Sequence, residues 1–220
     1  MEKIKTILLN LPFWLRMSEM IVLYILLPLL LVFDVIPFPL MVVLVIMGAT
    51  VILFLQYDET FDKKQYLNWS SGKKYLFPML LFFILSGTVM VLTIRLVDAS
   101  QLFILVREDP QTMLMIAVFY PLFSVIPQGL AYRVLFFHRY ANLFSSKWTQ
   151  ILVSAVFFSF GHIIYKSPLV MFLTFVAGFI FAYRYHQSKS YLLSAIEHAL
   201  YGTWMFFSGL GIYFIASLVN

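Results

Sequence analysis

The sequence predicts an all-α protein, a polytopic transmembrane helix bundle with seven or eight spans. Of its 220 residues, 62% are hydrophobic and only 11% are charged, whereas a soluble domain is about 45–50% apolar and about 25% charged. The apolar residues form runs close to the 20 or so that a helix needs to cross about 30 Å of hydrocarbon. No strand-like alternation of polar and apolar residues competes with this pattern. A membrane domain is therefore the expected architecture.

Seven apolar runs supply the predicted helices. The last run is long enough for two shorter helices, because Gly202, Gly209 or Gly211 could interrupt it. The first is too long for a signal peptide and lacks a small-residue cleavage site after it, so we expect a retained first span. No internal repeat or soluble domain is evident, and residues 1–220 are expected to form a single membrane domain. The runs cover residues 20–37, 38–56, 75–97, 111–135, 148–165, 168–185 and 190–219.

The distribution of Lys and Arg predicts an N-terminus in the cytoplasm. With that orientation, the segments on the cytoplasmic side carry 12 of the 15 basic residues and the opposite side carries three. Such an excess on cytoplasmic loops is the positive-inside pattern of inner or plasma membranes. This excess explains the net charge of +5, so we expect no nucleic-acid partner. The expected partner is membrane lipid. The chain has no Cys, which excludes disulfides, thiol catalysis and Cys-based zinc sites.

Polar side chains inside the predicted spans are costly in a bilayer and mark candidate functional sites. Four stand out, namely Gln128, His162, Glu197 and His198, and Arg133 follows the first of them. At 1.5 Å per residue, Gln128, His162 and His198 lie about 18, 21 and 12 Å from the cytoplasmic ends of their helices. The structural alternatives are an interhelical hydrogen bond for Gln128, a satisfied core histidine for His162, and an interfacial position for Glu197 and His198.

Three segments resemble the motifs of one family of membrane proteases. Residues 128–133 read QGLAYR and resemble the Glu-Glu-x-x-x-Arg motif of the CAAX protease and bacteriocin-processing family (CPBP, also called Abi). This family includes the type II CAAX prenyl endopeptidases. Residues 158–162 read FSFGH and resemble the second motif, Phe-x-x-x-His, and residues 198–202 read HALYG and resemble the third, His-x-x-x-Asn. Order and intervals agree over about residues 110–215, the expected CPBP-like core.

The chain departs from the family pattern at three positions. The two family carboxylates fall on Gln128 and Gly129, and the family asparagine falls on Gly202. The remaining motif positions keep the family residue type, namely Arg133, Phe158, His162 and His198.

The resemblance implies an intramembrane endopeptidase that hydrolyses membrane-embedded or lipidated peptides, with prenylated proteins among its substrates. In the family, a carboxylate and a histidine activate water, while a second histidine and the asparagine stabilise the oxyanion. The role of a metal in the family is unsettled, and we assign no metal ligand or cofactor. The residues expected to be catalytic are Gln128, Arg133, His162 and His198, and those expected to contact substrate are Phe158, Glu197 and Gly202.

The missing carboxylates leave two hypotheses open. An amide cannot take up a proton at useful pH, and loss of a general base typically costs about 10²–10⁴-fold in rate. Either a histidine replaces the base, or the protein is a catalytically silent relative that binds membrane segments as an immunity or scaffold factor. Glu197 is a weaker substitute, because adjacent helix residues such as Glu197 and His198 face different directions. Arg133 could instead be a positive-inside anchor that snorkels to the cytoplasmic face with Arg139.

Overall fold

The structure is a computed structural model that describes residues 11–214, and within this range it contains helices and no strand. The predicted all-α class is confirmed. Part of the predicted N-terminal basic segment, and residues 215–219 of the last predicted span, lie outside the described residues. Seven long helices, α1 to α7, cover Phe13–Val32, Leu40–Tyr57, Trp69–Val97, Pro110–Arg139, Lys147–Phe160, Pro168–Ser188 and Tyr191–Ser208.

Six helices of the described part of the chain are long and apolar enough to cross a membrane, where the predicted number is seven or eight. They are α1 to α6, with α5 counted through the turn that follows it to Tyr165. Helix α7 has 18 residues, or about 27 Å at 1.5 Å per residue, but its sequence includes Glu197 and His198. It ends at Ser208 because Gly209 adopts a φ of 107°, which only glycine reaches readily. Gly202 lies inside the helix.

Helix α4 forms the centre of the bundle. Every residue from 127 to 137 is buried, and the helix contains two π-helical turns, Pro121–Val125 and Leu130–Leu135. Proline lacks a backbone N–H and crowds the preceding turn, so Pro121 and Pro127 favour such wide turns in place of regular α-helix. Single π-turns of this kind occur frequently at functional sites.

Hydroxyl groups from three other helices donate hydrogen bonds to carbonyl oxygens of α4. From α1, the Tyr24 hydroxyl donates to Ala131 at 2.7 Å. From α5, Ser154 donates to Tyr132 at 2.8 Å, and from α7, the Tyr191 hydroxyl donates to Ile126 at 2.9 Å. These bonds satisfy polar groups that lipid cannot solvate and position the helices around the first motif.

Ion pairs fasten the C-terminal end of α4 to the first two helices. Arg139 donates two hydrogen bonds to the Glu19 carboxylate of α1, the shorter at 2.9 Å. His138 donates to Asp58, directly after α2, at 2.8 Å. Burial raises the pKa of the Asp58 carboxyl, but hydrogen bonds from Thr60 and His138 outweigh this effect and hold the pKa below its usual value. Asp58 therefore remains an ionised partner for His138.

Helices α5 and α6 meet at a seam of small residues. A Cβ at Gly178 would lie 2.9 Å from the Phe158 ring and 3.2 Å from the backbone of Ala155, and Ala182 is fully buried. Small residues let two helix backbones approach closely. This close approach places Phe158 of the second motif at the centre of the bundle.

Candidate active site

A cavity of about 290 Å³ lies between α3, α4, α6 and α7, beside the end of α5. Its wall is almost entirely apolar. Two motif histidines, His162 and His198, lie on this wall together with Phe158 and Gly202. The structure therefore brings the second and third motif segments together around one cavity.

His162 lies in the turn that follows α5, at the end of this helix opposite Lys147. Its Nδ1 atom is 2.7 Å from the carbonyl oxygen of Phe158. A carbonyl only accepts hydrogen bonds, so Nδ1 carries the proton and donates it. In the neutral imidazole, the Nε2 atom then keeps a free lone pair.

His198 lies on α7 and is only 4% exposed. Its ring stacks on Phe181 at 4.5 Å and meets the edge of Phe158 at 5.4 Å, measured between ring centroids. The His162 ring also packs on Phe158, at 4.8 Å. One phenylalanine thus separates and orients the two imidazoles.

Arg133 is buried inside the bundle, with 1% of its surface exposed. Its guanidinium carbon lies 4.3 Å from the centroid of the Phe158 ring and 5.0 Å from that of Phe181, as in cation–π contacts. Its two terminal nitrogens have no hydrogen-bond partner among residues 11–214. The alternative of a snorkelling anchor at the cytoplasmic face is therefore wrong for Arg133, and Arg139 instead pairs with Glu19.

The two positions of the family carboxylates do not reach the cavity wall. Gln128 is buried and its amide nitrogen donates to the Ser124 hydroxyl, one turn earlier in α4, at 2.8 Å. This bond is within its own helix, not to a neighbouring one. Gly129 faces Tyr191 of α7, and a Cβ at this position would lie 2.7 Å from the ring atom Cε2. An amide and an aromatic ring therefore replace the acidic pair.

Glu197 faces away from the cavity toward α6. Its carboxylate is fully buried and accepts two hydrogen bonds from Arg184, at 3.0 and 3.1 Å. Glu197 and His198 thus have different neighbours, as their adjacent positions predict. The structure does not bring Glu197 to the wall where a substrate contact was expected, because its charge is already paired.

Comparison with known families agrees with this arrangement of motifs. Residues 110–204 match the model of the family described as type II CAAX prenyl endopeptidase Rce1-like, and this range includes all three motif segments. Over these residues the chain is similar to the CAAX protease family. Neither the curated proteins nor the solved structures include a match. The matched segment runs from the start of α4 into α7, and six helices within residues 11–214 are long and apolar enough to cross a membrane.

Each of the three CAAX protease motifs contains a glycine whose missing side chain makes room for a tyrosine. These tyrosines were not predicted from the sequence, because a tyrosine in an apolar span is typical of a packed core. For two of them the available signal was glycine at a family position that carries a polar side chain, namely 129 and 202. The pairs are Gly129 with Tyr191, Gly161 with Tyr132, and Gly202 with Tyr120.

The described residues offer few ligands for a metal ion. Between residues 11 and 214, no three His, Cys, Asp or Glu side chains lie together closely enough to hold one. The polar side chains of the cavity wall are the two imidazoles and the hydroxyls of Ser86, Tyr120, Thr174 and Tyr201.

Proposed function

We propose that this protein is a CAAX protease family member and an intramembrane endopeptidase in which His162 activates the attacking water. A general base needs a free lone pair within reach of the water and a proton affinity suited to neutral pH. The hydrogen bond from His162 Nδ1 to Phe158 supports this role, because it directs the lone pair of Nε2 away from the backbone. This hydrogen bond is the observation that carries the proposal.

Membrane-embedded or lipidated peptides, including prenylated proteins, are the proposed substrates. The cavity wall is apolar and therefore suits peptides or lipid groups that partition into the bilayer. Two of its residues, Phe82 of α3 and Phe172 of α6, are also 46% and 63% exposed on the outside of the bundle. A substrate would therefore enter sideways from the bilayer between α3 and α6.

The proposed reaction is hydrolysis of one peptide bond. The water oxygen attacks the carbonyl carbon, and His162 Nε2 takes the water proton. The tetrahedral intermediate then collapses, the carbon–nitrogen bond breaks, and His162 returns the proton to the leaving amine. His198, on the same wall, is proposed to help stabilise the oxyanion.

A catalytically silent binding protein is the second candidate. It is favoured by Gln128 and Gly129 at the carboxylate positions and by a wall without Asp or Glu among the described residues. Such a protein would hold a membrane segment in the cavity and leave it intact.

A cleavage assay separates the two candidates. Purified protein in lipid bilayers is offered a quenched prenylated peptide, and His162→Ala is expected to lower kcat by about 10²–10⁴-fold. His186→Ala is the matched control, since His186 lies on α6 outside the cavity wall. Binding of the peptide by the unmodified protein without any cleavage would contradict the endopeptidase proposal and favour the silent binder.

A further inference from the structure

Tyr120 of α4 places a hydroxyl group beside His198. The phenol oxygen lies 3.2 Å from Nε2 of His198, and the two rings meet at right angles with centroids 6.1 Å apart. Tyr120 lies on the same cavity wall as His162 and His198. A phenol hydroxyl therefore lies next to one of the two imidazoles at the candidate active site.

The absence of a side chain at Gly202 leaves the space that the Tyr120 phenol occupies. Gly202 lies four residues after His198, one turn further along the same face of α7. A Cβ at position 202 would collide with the hydroxyl oxygen, Cζ and Cε1 of Tyr120. The phenol thus occupies the space in which a side chain at position 202, including the asparagine of the third motif, would begin.

A further aromatic contact holds the Tyr120 ring in place. Phe206 packs against it at 5.8 Å between centroids, and the next residue, Pro121, begins the first π-helical turn of α4. A rigidly held phenol is a suitable catalytic donor, because its hydrogen is aimed before the substrate arrives. A phenol can also accept one hydrogen bond while it donates another.

We propose that Tyr120 supplies the hydrogen bond to the oxyanion of the tetrahedral intermediate, in place of the motif's asparagine. The inference rests on the proposed function, since that oxyanion forms only during hydrolysis. His198 donates from Nε2–H to the phenol oxygen, and the phenol O–H donates to the substrate oxygen. No proton is transferred in this step, so Tyr120 lowers the barrier only by stabilising negative charge.

Replacement of the hydroxyl alone tests the proposal. Tyr120→Phe keeps the ring and is expected to lower kcat by about 10²–10³-fold, the usual effect of removing one oxyanion donor, with little change in KM. Tyr185→Phe is the control, because Tyr185 is a buried tyrosine whose hydroxyl donates to Gln65 outside the cavity. If Tyr120→Phe cleaves as fast as the unmodified protein, the inference is overturned while the endopeptidase proposal stands.

A binding measurement separates this inference from the proposed function. The probe is a prenylated peptide whose scissile amide is replaced by a phosphinate, which carries negative oxygen in tetrahedral geometry. Tyr120→Phe should weaken phosphinate binding by about 10²–10³-fold and leave binding of the uncleaved amide peptide unchanged. If the unmodified protein cleaves nothing but binds the phosphinate in this Tyr120-dependent way, only the proposed function fails. Equal losses for both ligands would overturn the role of Tyr120 as an oxyanion donor.

Discussion

Individual glycines decide the chemistry of this site as much as its polar residues do. Gly129 stands where the family has its second carboxylate, and the space beside it is filled by Tyr191, whose hydroxyl donates to Ile126. Restoring a glutamate at position 129 would therefore also require a smaller residue at 191. The loss of the acidic pair is a repacked contact between α4 and α7 and not a single isolated substitution.

Substitution of Gly129 by Ala tests this contact. Overpacking against Tyr191 costs about 1–3 kcal/mol, while replacing a helical glycine by alanine gains up to about 1 kcal/mol. We expect Gly129→Ala to lower the free energy of unfolding in the unmodified protein and to raise it in a Tyr191→Ala background. Denaturant unfolding in detergent measures all four members of the cycle. The same change in both backgrounds would contradict the contact.

At the level of elements, α7 has two chemically different faces. One face turns His198 toward the cavity, and the neighbouring face turns Glu197 toward Arg184 of α6. Both partners of this ion pair are buried, with Arg184 9% exposed and Glu197 not exposed at all. Removing one member of such a pair leaves an uncompensated charge, which costs more than removing both. The pair thus specifies how α6 and α7 face each other.

The Arg184–Glu197 pair can be tested through stability alone. Arg184→Met is expected to lower the free energy of unfolding by about 3–5 kcal/mol, because Glu197 would stay buried without a partner. The double variant Arg184→Met with Glu197→Leu should recover most of that loss. Unfolding in detergent is the measurement. A double variant as unstable as the single one would show that the interhelical contact depends on the ion pair itself.

At the scale of the whole molecule, the loops between spans carry very unequal numbers of basic residues. The segment between α2 and α3 and the first two turns of α3 together hold four lysines, namely Lys63, Lys64, Lys73 and Lys74. The segment between α3 and α4 holds Arg107 beside Glu108 and Asp109. Basic loops are retained in the cytoplasm during insertion. Successive loops should therefore lie on alternate sides, with the N-terminus in the cytoplasm.

The absence of Cys makes this topology directly measurable. Thr60→Cys, between α2 and α3, should react with a membrane-impermeant thiol reagent only from the cytoplasmic side. Ser100→Cys, between α3 and α4, should react only from the opposite side. The two positions are matched, since both are exposed and both hydroxyls donate to an aspartate two residues earlier. Labelling of both from one side would contradict the predicted orientation.

The sequence by itself determined the helical class, the approximate spans and the resemblance to the CAAX protease family. Bilayer thickness sets the length of an apolar helix, so hydropathy alone locates α1 to α6. The depths of the motif residues in their helices predicted that Gln128, His162 and His198 meet. Two of them, His162 and His198, lie on the same cavity wall, and Gln128 does not. The count of spans was less well predicted, since α7 mixes apolar residues with Glu197 and His198.

Only the tertiary structure decided which polar groups face the cavity. Glu197 pairs with Arg184, and Gln128 bonds to Ser124. Tyr120 reaches His198 from 78 residues away in the chain. These partners depend on how each helix is rotated about its axis and how closely it packs on the next. The spacing of residues within one motif does not indicate which side chain of another helix packs against its glycine.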